Sequence, residues 1–140
     1  NAGIDRSNTE RDTVTLLPVD PDKSARAIRR RLSHLQGRQL GVIITDTFGR
    51  TWRNGVTDVA IGCDGIAGVI DLRGRTDAQG RTLQATEVCV ADEIAGAAEL
   101  VKGKSAQIPV VIVRGLSAEL FRDSSVKGEI TRAPQGDLFR

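Results

Sequence analysis

An acidic side chain and a hydroxyl stand side by side directly after an apolar run. The run extends over residues 40–45, and Asp46 and Thr47 follow it, with Gly49 two residues further on. Such a run is typical of a strand covered on both faces, so we expect Asp46 at the carboxyl end of a buried strand, where α/β sheets bind ligands. Carboxylate and hydroxyl oxygens suit Mg²⁺ or Mn²⁺. Spacing alone leaves a second interpretation equally open, in which Asp46 only caps a turn.

A second carboxylate lies near the start of the chain. Asp5 is followed by Arg6, Ser7 and Asn8, which alone is the composition of an ordinary polar loop. It becomes informative only if folding brings Asp5 beside Asp46, because two adjacent carboxylates repel each other unless a cation offsets their charge or one of them is protonated. A shared divalent cation is therefore a hypothesis that depends on the fold.

Arginine and glycine are concentrated in the middle of the chain. Glycine lets a backbone approach a ligand closely, and the guanidinium fork of arginine matches phosphate and carboxylate. The arginines that could bind such groups are Arg50, Arg53, Arg73 and Arg75. The alternative is a set of solvated loops with internal ion pairs, for which Asp58, Asp71 and Asp77 are available partners.

Two helices are indicated by apolar spacing and by their end signals. Asp20 as N-cap and Pro21 at the first position begin the first helix, its apolar stripe includes Ala25 and Leu32, and Gly37 ends it. The second is expected over residues 84–102, ending at Gly103. Residues 102–105 (Lys-Gly-Lys-Ser) could contact a phosphate, but a helix C-cap is the better interpretation because a Walker loop precedes its helix.

Several strands complete the expected mixed α+β fold. Alternation over residues 13–17 predicts a short strand with Val14 and Leu16 facing inward, and further short strands are expected around residues 59–62 and 69–72. Residues 108–113 form another apolar run, interpreted as a buried strand. The tail from residue 117 is polar and is expected to be loop-like. Buried strands separated by amphipathic helices indicate layered helices and sheets.

Composition excludes several classes of function. Twenty basic against eighteen acidic residues leave a formal charge of +2, and aromatic residues make up 3%, which disfavours nucleic-acid binding. One histidine and two distant cysteines disfavour a zinc site or a Ser-His-Asp triad. No apolar run approaches the roughly 18 residues that a membrane span needs. We expect a cytoplasmic protein without a membrane anchor.

Several ordered motifs together resemble one family. They are residues 1–8 (Asn-Ala-Gly-Ile-Asp-Arg-Ser-Asn), 44–50 (Ile-Thr-Asp-Thr-Phe-Gly-Arg), 52–55 (Trp-Arg-Asn-Gly), 58–62 (Asp-Val-Ala-Ile-Gly), 71–77 (Asp-Leu-Arg-Gly-Arg-Thr-Asp), 86–88 (Thr-Glu-Val), 109–111 (Pro-Val-Val) and 137–140 (Asp-Leu-Phe-Arg). In these motifs, and essentially from end to end, the chain resembles the coenzyme F420:L-glutamate ligase family (CofE, called FbiB in actinobacteria).

The resemblance implies a CofE-like fold and GTP-dependent ligation of L-glutamate to coenzyme F420-0, followed by further γ-linked glutamates. It implies a homodimer that uses Mg²⁺ or Mn²⁺ and is helped by K⁺. Carried over position by position, the metal ligands would be Asp5, Asp46 and Thr47, and Asn8 would contact GTP.

The implied chemistry fits the residue types. A carboxylate is a poor acyl donor, so phosphoryl transfer from GTP would form an acyl phosphate, which the glutamate amine attacks. Positioning and charge stabilisation dominate such chemistry, which needs neither histidine nor cysteine. We infer, beyond the resemblance, that Asp46 and Arg50 act in catalysis and that Arg53, Arg73 and Arg75 bind F420-0 or glutamate.

Two departures and two alternatives accompany this interpretation. First, the family domain has an N-terminal part that is absent here, so residues 1–140 are expected to be a ligase-domain fragment that is inactive alone. Second, Thr51 stands where proline is expected before Trp52. The Asp46-Thr47 motif also loosely resembles phosphatases with an aspartyl nucleophile, although Phe48 replaces their second Asp. A non-catalytic anion-binding or dimerisation module is the other alternative.

Overall fold

The computed structural model describes residues 9–136 and the backbone of one further strand, Ile4–Asp5. The strands are β1 (Ile4–Asp5), β2 (Thr15–Leu16), β3 (Val42–Gly49), β4 (Val56–Asp64), β5 (Ile70–Asp71) and β6 (Glu87–Val88), and the helices are α1 (Pro21–Gln36), α2 (Val90–Lys102) and α3 (Val126–Glu129). Short 3₁₀ helices span Ala118–Leu120 and Pro134–Gly136. The strands pair as three antiparallel two-stranded sheets, β1–β2, β3–β4 and β5–β6, which confirms the expected mixed α+β class.

Helix α1 begins and ends where its local signals predict. The Asp20 side chain accepts a hydrogen bond from the Lys23 backbone N–H at 2.8 Å, and Pro21 occupies the first position, where a missing N–H costs nothing. At the other end Gly37 adopts a φ of +61° and donates its N–H to the Ser33 carbonyl at 2.9 Å. Both ends depend on residues within a few positions of the helix.

The apolar stripe of α1 is only partly buried. Ala25 is buried, whereas Ile28, Leu32 and Leu35 are 46%, 40% and 59% exposed. The predicted helix is therefore confirmed, but within residues 9–136 about half of the surface of these three apolar side chains stays exposed.

The β3–β4 hairpin is the central element and corrects the predicted position of Asp46. Strand β3 continues through Gly49, and Asp46 lies in its middle, opposite Val59. Asp46 therefore does not stand at the carboxyl end of a strand, as the apolar run had suggested. The reason is that β4 supplies a pairing partner for every residue of β3, with one bulge between Ile44 and Thr45.

The core lies where α1, α2 and α3 pack against this hairpin. Its buried members are mostly small: Ala60, Cys63, Ile66, Ala91 and Val126. Small residues allow close approach, and a Cβ added at Gly62 of β4 would lie 2.4 Å from the backbone carbonyl carbon of Pro21 in α1. Burial raises the pKa of the Cys63 thiol, whose side chain is fully buried.

Three predicted elements differ in the structure. Helix α2 begins at Val90, six residues later than expected, because Val88 pairs with Ile70 in the β5–β6 ladder. The prediction that Val14 and Leu16 face inward is wrong, since both are exposed, Leu16 on the two-residue strand β2 and Val14 just before it. The tail is not merely loop-like, because Val126 joins the core.

The run at residues 108–113 forms no strand, which contradicts its interpretation as a buried strand. Val110 and Ile112 are 75% and 74% exposed. An apolar run becomes a strand only where a neighbour exchanges backbone hydrogen bonds with it, and no described segment does so. Within residues 9–136, no helix combines the length and apolar character required to cross a membrane.

Candidate functional site

Asp46 and Thr47 are held together on β3, but their side chains point to opposite faces, as neighbouring residues of a strand must. The Thr47 backbone N–H donates to Asp46 Oδ1 at 2.8 Å, so one carboxylate oxygen is engaged locally. Within the described residues, Oδ2 accepts no hydrogen bond. Oδ2 therefore has no partner among the described residues and can bind a ligand. The hydrogen bond accepted by Oδ1 agrees in part with the interpretation of Asp46 as a turn cap.

The Thr47 hydroxyl belongs to a compact polar cluster between β3, β4 and the end of α2. Asp58 accepts hydrogen bonds from Thr47 Oγ1 at 3.0 Å and from Thr45 Oγ1 at 2.8 Å. Lys102 Nζ forms an ion pair with Asp58 Oδ2 and donates to Thr45 Oγ1 at 2.7 Å. We call Thr45, Thr47, Asp58 and Lys102 the Asp58 cluster.

The Asp58 cluster holds a buried negative charge. Asp58 is 5% exposed. Burial by itself raises the pKa of Asp58, but the hydrogen bond from Lys102 and those from Thr45 and Thr47 outweigh it, and the net pKa lies below its ordinary value. Asp58 is therefore an ionised carboxylate whose acceptor oxygens are directed at two threonines and a lysine.

Sequence reasoning missed this arrangement. Asp58 had been considered only as a partner for nearby arginines, and Lys102 as part of a helix C-cap. Lys102 does lie in the last turn of α2, and Gly103 follows it as the C-cap. The signal available in the sequence was the two-residue alternation of side chains along each strand. In the β3–β4 register this alternation places Thr47 directly opposite Asp58.

Helix α2 also covers the outer edge of β4 with carboxylates. Glu99 Oε2 accepts from the Asp58 backbone N–H at 2.8 Å, and Asp92 Oδ1 accepts from that of Ala60 at 2.9 Å. Both acids therefore face the hairpin. They satisfy strand N–H groups that would otherwise be left without a partner at a sheet edge.

The Asp46 carboxylate fits a hard divalent cation, but the Thr47 hydroxyl lies on the opposite face of β3, where it donates to Asp58, and does not share a site with Asp46. A free carboxylate oxygen is a ligand of the kind that Mg²⁺ and Mn²⁺ accept. The described residues contain no group of three or more His, Cys, Asp or Glu side chains close enough to hold a metal. The Asp5 side chain and Asn8 lie outside the described residues, so their predicted roles stay predictions.

The four candidate arginines differ in their availability. Arg50 and Arg53 lie in the β3–β4 turn, and Arg75 lies between β5 and β6; all three are exposed, without a side-chain partner among residues 9–136. Arg73 instead contacts Asp71 at 2.6 Å and Glu87 at 3.3 Å. The hydrogen bonds from Arg73 lower the pKa of Asp71 to about 2. Arg73 thus matches the internal ion-pair alternative, whereas the other three remain available to an anion.

An arginine-lined cleft of about 250 Å³ lies on another part of the surface. Arg29 Nη1 contacts Asp64 at 2.9 Å and Asp123 at 3.0 Å, and Arg26 Nε contacts Asp64 at 3.3 Å. The hydrogen bond with Asp64 is the largest cause of the raised pKa of Arg29. Most of the charge in this cleft is therefore neutralised internally, which weakens the anion-binding alternative here.

Comparison with known proteins gives a consistent result. The sequence profile described as F420-0:Gamma-glutamyl ligase matches residues 1–115. The chain is 49% identical over 143 residues to a protein named coenzyme F420:L-glutamate ligase from Methanopyrus kandleri, covering all of this chain and 57% of the relative. Proteins of the same name from Archaeoglobus fulgidus and Methanothermobacter thermautotrophicus are 48% and 46% identical, again over the whole chain and over 55% and 56% of their own lengths. The chain thus spans little more than half the length of these relatives.

Proposed function

The chain belongs to the F420-0:gamma-glutamyl ligase family, and from this we propose that the complete protein joins L-glutamate to coenzyme F420-0 and then adds γ-linked glutamates. The observation that carries the proposal is 46–49% identity along the whole chain to three proteins named for this activity. The candidate site supports it, because β3 presents the Asp46 carboxylate close to a turn with two arginines whose side chains have no partner among residues 9–136.

The proposed reaction proceeds in two steps that use GTP. The F420-0 carboxylate attacks the γ-phosphorus of GTP, GDP leaves, and an acyl phosphate forms. The amine of L-glutamate then attacks the acyl carbon, loses a proton and expels inorganic phosphate, which leaves an amide. Both steps depend on alignment and on stabilisation of negative charge.

We assign the residues of this chain to these tasks. Asp5 and Asp46 would hold Mg²⁺ or Mn²⁺, whose charge offsets that of the triphosphate, and Asn8 would contact GTP. Thr47 is proposed as a further ligand, but its hydroxyl lies on the other face of β3 and would first have to leave Asp58. Arg50, at the end of β3, would stabilise charge on the transferred phosphoryl group. Arg53 and Arg75 are available for the carboxylates of F420-0 or glutamate, whereas Arg73 would first have to leave Asp71 and Glu87. K⁺ is proposed as an additional activating ion.

We further propose that this chain is the C-terminal, larger part of the ligase domain and is inactive alone. The relatives are nearly twice as long, and several large apolar side chains, such as Leu35, Leu100 and Val110, are largely exposed. An additional N-terminal part packed on these side chains would bury apolar surface. The complete protein is proposed to be a cytoplasmic homodimer, which light scattering after size-exclusion chromatography would test.

The decisive experiment compares Asp46→Ala with wild type in the complete protein. F420-0, L-glutamate, GTP and MnCl₂ are incubated with each, and the glutamylated product is measured by mass spectrometry. We expect wild type to turn over and Asp46→Ala to lose at least about 100-fold, the scale of a removed charge-stabilising group. Glu119→Ala, which removes an exposed carboxylate distant from β3 in the sequence, is the control and should retain activity. Undiminished turnover by Asp46→Ala would remove the assignment of Asp46, and no turnover by wild type would remove the proposed function.

A further inference from the structure

A tryptophan is fully exposed in the turn between β3 and β4. Trp52 is 98% exposed, although a ring of this size is normally largely buried, because its removal from water is favourable. Its backbone has a φ of +64°, in the left-handed region that a bulky side chain rarely occupies. Residues strained in this way are concentrated at active sites and ligand-binding segments. Exposure and strain together indicate that the Trp52 ring is presented to a ligand.

The turn lies close to the Asp46 carboxylate. Strand β3 ends at Gly49, three residues after Asp46, and strand residues advance by about 3.3 Å each, so the turn begins about 10 Å from Asp46. Phe48, two residues after Asp46, lies on the same face of β3 and is about half-exposed. A carboxylate, a half-exposed ring and a fully exposed ring thus follow one another along the chain from the candidate site to the turn.

Two guanidinium groups flank the exposed ring. Arg50 and Arg53 are exposed, and their side chains have no partner among residues 9–136. The Arg53 backbone N–H donates to the Arg50 carbonyl at 3.3 Å, so both arginines belong to one tight turn around Trp52. Guanidinium groups bind phosphate and carboxylate, and an aromatic face stacks on a flat ring. The turn is therefore complementary to a ligand that carries both a flat ring and an anionic group.

We propose that Trp52 stacks on the flat deazaflavin ring of F420-0. The inference rests on the proposed function, which makes F420-0 a substrate. A ribityl phosphate arm separates this ring from the carboxylate that reacts, which suits a ring site at the turn and a reacting group near Asp46. Guanine is the other flat ring in the proposed reaction, but its N–H donors require acceptors such as a carboxylate, and residues 50–55 contain no Asp or Glu.

The test measures the dissociation constant of F420-0 for the complete protein by equilibrium dialysis, with GDP and MnCl₂ but without glutamate, so that no turnover occurs. The main variant is Trp52→Asn, because asparagine tolerates the left-handed backbone but has no ring. We expect F420-0 to bind about 5–150-fold more weakly, the scale on which loss of one stacked aromatic side chain weakens binding of a base. Trp52→Phe keeps a smaller ring and should lose less than Trp52→Asn does. Val19→Ala truncates another fully exposed apolar side chain and should bind F420-0 as wild type does.

The melting temperature of Trp52→Asn separates a binding role from a structural one. It should be no lower than that of wild type, because the substitution removes an exposed ring from a strained position. A lower melting temperature would show that the ring serves the fold and would overturn the assignment.

Kinetics and nucleotide binding separate the remaining outcomes. Trp52→Asn should raise the KM for F420-0 and change kcat little, because stacking away from the reacting carboxylate is equal in the ground and transition states. The dissociation constant of GDP should not change. Unchanged F420-0 affinity in Trp52→Asn overturns the role of Trp52, and so does weaker GDP binding alone, which would assign the ring to guanine. Wild type that neither binds nor glutamylates F420-0 contradicts the proposed function itself, so the two failures can be told apart.

Discussion

The Asp22 carboxylate accepts a hydrogen bond from the backbone N–H of Val126 at 2.9 Å, although the two residues are 104 positions apart. The same carboxylate accepts from the Cys63 N–H at 2.9 Å and from the Lys127 N–H at 3.1 Å. One side chain in the first turn of α1 thereby joins this helix to β4 and to α3. It satisfies three backbone donors, two of which belong to core residues.

Replacement of Asp22 should therefore destabilise the protein more than loss of an ordinary helix cap. Asp22→Ala leaves up to three N–H groups without an acceptor, of which those of Cys63 and Val126 are part-buried and worth about 1–3 kcal/mol each, so we expect a loss of about 2–6 kcal/mol. Asp20→Ala removes only the N-cap of α1 and should cost about 0.5–2 kcal/mol. Urea unfolding followed by circular dichroism measures both. Equal losses would show that the contacts of Asp22 to β4 and α3 contribute little.

Close packing of Gly62 against α1 should make this position intolerant of any side chain. A Cβ at Gly62 would lie 2.4 Å from the Pro21 carbonyl carbon and 2.5 Å from its oxygen, whereas a Cβ at Gly49 of β3 would meet nothing within 4 Å. Overpacking of this kind costs about 1–3 kcal/mol and sometimes more. We expect Gly62→Ala to lower the melting temperature by several degrees and Gly49→Ala to leave it nearly unchanged. Similar melting temperatures for the two variants would contradict the packing of α1 on β4.

Glu129 should make stability depend on pH in the acidic range. Burial raises the pKa of Glu129, but hydrogen bonds from Arg122 and from the Val69 and Gly68 backbone outweigh it, so the net pKa lies below its ordinary value of 4.5. A carboxyl group with a lowered pKa in the folded state stabilises the fold above the ordinary value and loses this contribution as pH falls through the folded pKa. The stabilisation by Glu129 should therefore be complete at pH 7 and decline below about pH 4.5.

The comparison of Glu129→Gln with wild type tests this dependence. The difference in the free energy of unfolding between them should be largest near pH 7 and shrink towards pH 3, as measured by urea titration at each pH. Glu119→Gln, at an exposed position, is the control and should show a smaller difference at pH 7. A difference for Glu129→Gln that stays constant from pH 7 to pH 3 would show that its carboxylate charge does not stabilise the fold.

The arginines between β5 and β6 should contribute unequally to substrate binding. Arg75 is exposed and has no side-chain partner among the described residues, while Arg73 is paired with Asp71 and Glu87. A charged hydrogen bond is worth about 1.5–3 kcal/mol, so Arg75→Ala should raise the KM for F420-0 or for glutamate about 10–100-fold. Arg73→Ala should change either KM by less than about threefold. The reverse order would indicate that Arg73 exchanges its acidic partners for substrate.

The parts of the fold that were correctly predicted are those controlled by residues close in sequence. Asp20, Pro21 and Gly37 determine the ends of α1 through contacts within four positions, and Gly103 ends α2 in the same way. The family resemblance was likewise visible in contiguous motifs and is confirmed by the match over residues 1–115. The predictions that were wrong concern the pairing of strands. An apolar run at residues 108–113 has strand composition, but strand formation also requires a partner that composition does not specify.

The sequence by itself determined the family, the mixed α+β class, the boundaries of α1 and the presence of Asp46 and Thr47 as adjacent oxygen donors, because each of these is encoded in local spacing. Only the tertiary structure decided that Asp46 lies within a hairpin strand and that Asp58, Lys102 and Thr47 meet. Asp58 and Lys102 are 44 positions apart. A contact at this distance forms only when β4 and α2 pack together, and packing depends on the shape and burial of many side chains at once.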